Sequence, residues 1–206
     1  DALGFLNFES GNRIVQNLTM NRTGGTNSTA ALGTDLEVDD TFTATAGAFE
    51  LNDNALTLSG SLVRTGGTFT GSNGSDMIIS GLPTDLGGEI HFTSGVTNGQ
   101  RLRDFIMQKS GTAILGTDLT IRRNLDTEDG EVVLPSGTAA GTNTLTIIGN
   151  HNRESIGGSG TLTGSNESHV VIEGNGDLGD PLYFTSGAQF IQVLDLDRQT
   201  NGIIEL

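Results

Sequence analysis

Three histidines, His91, His151 and His169, and 25 Asp and Glu residues carry most of the reactive chemistry available to this 206-residue chain. The acids gather in two places: Asp35, Glu37, Asp39 and Asp40, then Asp126, Glu128, Asp129 and Glu131. The second group is interleaved with Thr127 and Gly130 and has the oxygen donors that Ca²⁺ takes, ~6–8 of them at ~2.3–2.6 Å. A solvated acidic loop is the other reading. An enzyme acting on polysaccharide needs carboxylates clustered beside a basic residue, or paired acids across a cleft. Arg101, Arg103, Arg122 and Arg123 are the bases that would complete such a cleft. No G-x-S-x-G elbow, H-E-x-x-H zinc motif or Walker phosphate loop occurs. Cysteine is absent, which excludes a disulfide framework and any thiolate nucleophile or metal ligand. A formal charge of −15 argues against nucleic acid or anionic lipid as partner, since both call for a basic surface.

The residues that would carry chemistry have to be weighed against internal repeats. Phe5-Leu-Asn-Phe8-Glu-Ser-Gly11 returns as Glu89-Ile-His-Phe92-Thr-Ser-Gly95 and again as Pro181-Leu-Tyr-Phe184-Thr-Ser-Gly187. Leu32-Gly-Thr-Asp-Leu-Glu-Val38 matches Leu115-Gly-Thr-Asp-Leu-Thr-Ile121, and Asn54-Ala-Leu-Thr-Leu-Ser-Gly60 matches Asn143-Thr-Leu-Thr-Ile-Ile-Gly149. The longest match pairs the stretch from Gly67 to Gly81 with that from Gly160 to Gly174. Successive copies run 5–88, 89–180 and 181–206, the last partial. The extra length of the second copy is expected in loops within 122–142 and 150–159. No histidine recurs: His91 stands where Asn7 and Tyr183 stand, His169 aligns with Asp76, and His151 falls in the second insertion. A site borne by the repeat would recur. The expectation is therefore exposed polar histidines and no catalytic, cofactor-binding or metal-binding residues.

The elements are β throughout. Leu56-Thr-Leu58, Thr68-Phe-Thr70, Leu145-Thr-Ile147 and Thr161-Leu-Thr163 alternate with a period of two, the mark of a half-buried strand. Residues 101–109 and their rough counterpart 13–21 also read as strands. Gly, Asn-Asp and Ser-Gly pairs punctuate them. Two architectures fit: a right-handed parallel β-solenoid with turns on the order of 20 residues stacked at ~4.8 Å, or two β-sandwiches in series. Absence of Trp and only 3 Pro tell against sandwiches, while the 31 Gly suit solenoid corners. The solenoid is the fold expected, one continuous stack of about four rungs per copy. No apolar run nears the ~20 residues of a membrane helix. The first residues lack the basic and apolar regions of a signal peptide. Because patterned sequence runs to both edges, we expect a segment of a longer polypeptide.

Three weaker signals stand beside these. Gly71-Ser-Asn-Gly-Ser-Asp76 is similar to the nonapeptide of calcium-binding β-rolls, but Gly74 and Asp76 become Glu167 and His169 in the second copy. Thr-x-Thr pairs at 41–45, 68–70 and 161–163 could order water as an ice-binding face, yet half-exposed strands favour Thr anyway. Asn-x-Ser/Thr sequons at Asn17, Asn21, Asn27, Asn73 and Asn166 are as frequent as this composition supplies by chance.

Leu56-Thr-Leu-Ser-Gly60, Gly67-Thr-Phe-Thr-Gly-Ser72, Leu182-Tyr-Phe-Thr-Ser-Gly187 and the strand-like Phe190-Ile-Gln-Val-Leu-Asp-Leu196 resemble the repeat regions of giant secreted surface proteins of Bacteroidetes-type bacteria. The resemblance covers nearly the whole chain. It implies a non-catalytic, extracellular β-solenoid stalk of an adhesin or cell-surface filament, whose partners are adjoining repeats of the same polypeptide, other copies in a fibre, or surface polysaccharide. A polysaccharide- or ice-binding module and a polysaccharide-degrading enzyme are the other classes kept open.

Overall fold

The computed structural model describes residues 4–24, 28–81, 85–134, 144–153, 159–199 and 202–204. Among them are eighteen strands and no helix. The first copy holds β1 (Phe5–Leu6), β2 (Ile14–Asn21), β3 (Thr29–Leu32), β4 (Leu36–Ala46), β5 (Ala48–Glu50), β6 (Ala55–Leu58), β7 (Ser61–Arg64), β8 (Thr68–Thr70) and β9 (Asp76–Ile79). The second holds β10 (Arg101–Met107), β11 (Thr112–Ile114), β12 (Leu119–Thr127), β13 (Glu131–Val133), β14 (Thr144–Ile147), β15 (Asn150–Asn152), β16 (Thr161–Thr163) and β17 (His169–Asn175). β18 (Val193–Gln199) belongs to the third.

Every strand pair is parallel, and partners lie about one turn apart in sequence, as in Leu36↔Leu56 and Phe49↔Phe69. That combination is a β-solenoid, because a parallel neighbour can be reached only by running the chain around a full turn. The largest sheet stacks nine strands in the order β2-β4-β6-β9-β10-β12-β14-β17-β18, with β7 on β4 and β15 on β12. Four steps lead from β2 to β10 and four more from β10 to β18. Four rungs per copy, as the sequence led us to expect, is therefore the repeat. A second wall is formed by β1-β3-β5-β8 in the first copy and β11-β13-β16 in the second.

Alternation decides which side chains enter the core. Along β6 the buried residues are Leu56 and Leu58, along β14 Leu145 and Ile147, and along β17 Val170 and Ile172. Register then stacks them: Ile121 on Ile147 on Ile172 on Leu196. On the second wall Phe49 lies beneath Phe69 and Phe69 beneath Phe92, with Phe42 packed from the first wall. Centroid separations are 5.2 Å for Phe42–Phe49 and Phe42–Phe69, and 6.3 Å for Phe69–Phe92. Tilted and edge-on rings at such distances attract one another beyond the area they bury. The second copy fills the places of Phe42, Phe49 and Phe69 with Leu125, Val132 and Leu162, all buried.

The three Phe markers hold one position. The Phe8 amide donates to Thr34 Oγ1 (3.0 Å) and the Phe92 amide to Thr117 Oγ1 (2.8 Å). Phe92 bridges to Phe69 as Phe184 bridges to Leu162. Phe92 is fully buried, while Phe8 and Phe184 are half-buried against the same core.

Two details differ from the expectation. Ile14, not Arg13, is the counterpart of Arg101, because Ile14 pairs with Glu37 as Arg101 pairs with Thr120. The insertions are also narrower. Pairing keeps β13 in step with β5 and β15 in step with β7, so the added residues fall between 134 and 144 and between 153 and 160, mostly outside the described residues. Asp126, Glu128, Asp129 and Glu131 consequently sit on or beside regular rungs rather than in an acidic insertion. Replacing Phe92 by Ala should remove about 3–5 kcal/mol of stability, as expected for emptying a closed aromatic site. Denaturant melts of parent and variant would measure it, and a change under ~1 kcal/mol would contradict the packing described.

Candidate functional site

Carboxylates and arginines do meet, at the junction between the first and second copies. Strand register places Asp76 of β9 directly beside Asp104 of β10, and both are buried. Two carboxylates stacked one rung apart repel unless each is neutralised. Arg103, in the bulge between Leu102 and Asp104, forks onto Asp76, with Nε donating to Oδ1 at 2.9 Å and Nη2 donating to Oδ2. Its Nε also lies 3.7 Å from Asp104. From the next rung Arg123 forks onto Asp104 in the same way, Nε to Oδ1 at 2.8 Å and Nη2 to Oδ2. Hydrogen bonding to Asp76 and Asp104 raises the pKa of Arg103 and Arg123 respectively. Arg101 is half-buried on β10 and Arg122 is exposed on β12, and the fork is made by Arg103 and Arg123.

Chemically this is a charge-balanced clamp. A general acid or base needs a carboxyl whose oxygens can reach a substrate proton, and here both carboxylates face guanidinium forks. Among the described residues the arrangement occurs once. At the next junction the equivalents of Asp76 and Arg103 are His169 and Gln192, joined by a 2.8 Å contact between Nε2 and Oε1. The same corner bond has been kept with different chemistry.

In the second acidic group three carboxylates are engaged. Glu128 accepts from Gln108, Asp129 from the Gly130 amide and Ser159, and Glu131 from Thr163 and Thr185. Among the described residues no three His, Asp or Glu side chains converge as a metal site. Thr68, Thr70 and Thr93 form a hydroxyl cluster (2.8 and 2.9 Å), repeated in part by Thr161 and Thr185 at 2.8 Å. Their hydroxyls are bonded to one another rather than arrayed toward water.

The histidines separate into three environments. His91 contacts Glu89 at 2.8 Å and lies over Gly116, whose added Cβ would strike the ring. His169 makes the corner bond just described. His151 overturns the expectation of an exposed loop residue: it is buried on β15, stacked on Leu125, at the position that Leu62 occupies in the first copy. Nδ1 donates to the Asp180 carbonyl (3.1 Å), which fixes the neutral tautomer, so Nε2 accepts from the buried Thr127 hydroxyl (3.0 Å). Sequence comparison missed this because the match between copies lapses across 150–159; only a two-residue extension of the strand register would have found it. Also missed were Lys109 and Arg198, cations at one recurring corner.

Burial pushes His151 below its ordinary pKa, opposed by the Asp180 carbonyl and carboxylate and aided by Arg153. The unfolded chain therefore binds a proton that the folded chain refuses. This contribution is complete above the unfolded pKa of about 6.5 and is lost as pH falls toward and through the lower folded value. The double variant Thr127→Ala with His151→Leu, which restores the Ala44 and Leu62 of the first copy, should flatten the loss of stability between about pH 7 and pH 5. Melting curves across that range would show it; parallel pH profiles for parent and variant would exclude the assignment.

No family model, curated protein or solved structure matches this chain.

Proposed function

We propose that the chain is a stalk segment of an extracellular bacterial adhesin or surface filament, and that its role is reach and stiffness rather than catalysis. The observation that carries this reading is what recurs. Strand register, corner glycines and the apolar character of most inward positions repeat from copy to copy, His151 and Thr127 being exceptions, while the polar groups that link rungs change: Asp76 to His169, Arg103 to Gln192, His91 to Tyr183. Selection for a rod acts on the interior and leaves the surface free. The acidic surface keeps such a rod soluble and disfavours nucleic acid. Among the described residues no helix is long and apolar enough to cross a membrane.

Adjoining repeats are the partners this reading requires, since rungs of a solenoid are covered by neighbouring rungs. Leu194 and Leu196 continue the inward stacks of Val170 and Ile172, yet are 37% and 48% exposed, and Phe5 is 63% exposed on β1. These are the apolar groups that further rungs would cover.

A binding module for polysaccharide is favoured by one observation: Tyr183 is 43% exposed, with the Arg153 guanidinium 3.8 Å from its ring centroid. An exposed aromatic ring can stack on a sugar. The test separates the classes. Incubation with a panel of bacterial and algal polysaccharides, followed by co-sedimentation and reducing-end assay, should give neither binding nor cleavage for a stalk. Binding lost in Tyr183→Ala would establish the module instead, and release of reducing ends would establish an enzyme.

A further inference from the structure

One corner of the solenoid is built to a rule that the copies share. It follows the inward residues Val38, Leu58, Ile79 and Met107 by two positions, so its occupants are Asp40, Gly60, Gly81 and Lys109. In the second copy it follows Ile121, Ile147, Ile172 and Leu196, giving Arg123, Gly149, Gly174 and Arg198. Each sequence ends on a cation at the strand that opens the main sheet in the following copy: Lys109 lies two residues beyond the end of β10, and Arg198 lies within β18. Arg22 occupies the same place just past the end of β2, two residues after Met20 as Lys109 is two after Met107.

Lys109 is fully buried, and its Nζ donates to the Gly60 carbonyl at 2.8 Å, a group 49 residues earlier and two rungs away. Arg198 does the same across the same separation, Nη1 to the Gly149 carbonyl at 2.8 Å. It also donates to the carbonyls of Glu173 (3.1 Å), Gly176 (2.7 Å), Asn175 (2.9 Å) and Asp177 (2.9 Å). The rung skipped is a glycine in both cases, Gly81 (φ 91°) and Gly174 (φ 105°). A Cβ there would overlap the carbonyl oxygen of Ser59 or Ile148. A side chain long enough to pass one rung and carrying donors at its end is what the position demands. Only Lys and Arg meet both requirements.

The junction explains why a tie is needed. Ile79 of β9 pairs with Met107, yet Met107 in turn pairs with Thr127, the counterpart of Ala44. The stack thus steps sideways from the Val38 column to the Ala44 column as one copy passes into the next, and the corner closes on backbone rather than on strand pairs. Burial lowers the pKa of Lys109 while Asp85 acts in the opposite sense.

We propose that Lys109 and Arg198 are interlocks: each threads past a glycine rung to hold the corner of one copy against the first strand of the next, so that adjoining copies open as a unit. The inference rests on the corner geometry and is independent of the stalk reading.

Lys109 is the chain's only lysine, so acylation with an amine-reactive ester reports on it directly. In the native protein the reagent should modify the α-amino group and spare Lys109 by at least about a hundredfold in rate. Protection should disappear at the same denaturant concentration at which far-ultraviolet circular dichroism is lost. Acylation of Lys109 in native buffer at the α-amino rate would overturn the proposal. Coupling is read with Lys109→Met and Lys109→Arg by hydrogen exchange in increasing denaturant. The Arg variant should keep first-copy strands β4 and β6 and second-copy strands β12 and β14 opening together. The Met variant should separate them, the two sets opening at different denaturant concentrations. Joint opening in a folded Met variant would also overturn the interlock; if that variant does not fold, the acylation result on the parent chain decides.

Discussion

Parallel backbone hydrogen bonding sets a fixed spacing of ~4.8 Å between rungs, and the rest of the structure answers to it. Whatever a residue is, its partner one turn later sits directly on top of it. Apolar residues gain from this, because Ile121, Ile147, Ile172 and Leu196 stack like on like. Charges lose, so the stacked Asp76 and Asp104 each require an arginine fork. Corners are governed by the same spacing. There backbone lies on backbone, and Gly60, Gly81, Gly149 and Gly174 are places where a Cβ would overlap a carbonyl oxygen of the rung before. Once every few rungs the corner carries a cation instead, reaching past a glycine to a carbonyl that no neutral side chain of that length could satisfy as fully.

Much of this was legible in the sequence, and for physical reasons. Period-two alternation at 56–58, 68–70, 145–147 and 161–163 marks strands because one face must be dry. Each of those segments is a strand with its central or flanking apolar residues buried. The Phe8, Phe92 and Phe184 phrases stand out because a large inward ring beside a Ser/Thr-Gly turn has few substitutes. Harder to read was any position where chemistry changes while geometry stays. Phe49 and Val132 share a place with no sequence resemblance, since the second copy fills the positions of Phe42, Phe49 and Phe69 with branched aliphatics. His151 was misread as exposed because polarity was taken as a guide to burial. Its two hydrogen bonds make a neutral imidazole acceptable where Leu62 stands in the first copy. The sideways step of the stack at the junction between the first and second copies is invisible to a linear comparison, because it depends on which strand lies above which.

Many of the polar groups are used to tie one rung to the next, as the proposed mechanical role would require. Carboxylates are forked, hydroxyls of Thr68, Thr70 and Thr93 bond to each other, and Glu131 ties Thr163 to Thr185 across rungs. Such bonds link neighbouring turns and stiffen the wall. The Asp76–Arg103 bond and its His169–Gln192 successor illustrate this, since the tie between rungs persists through a complete exchange of charge.

The central claim is a single stack in which residues far apart in sequence occupy one column through the junction. Thr57, Ile78, Ile106, Asp126 and Asn152 form such a column, each pairing with the next. Thr57 and Asn152 are therefore four rungs apart in space although they belong to different copies. The chain has no cysteine, so Thr57→Cys with Asn152→Cys accepts two spin labels and nothing else. Pulsed electron–electron resonance should give one narrow distance distribution consistent with a backbone separation of ~19 Å. A broad distribution, or one centred beyond ~35 Å as two domains in series would give, would contradict the continuous stack.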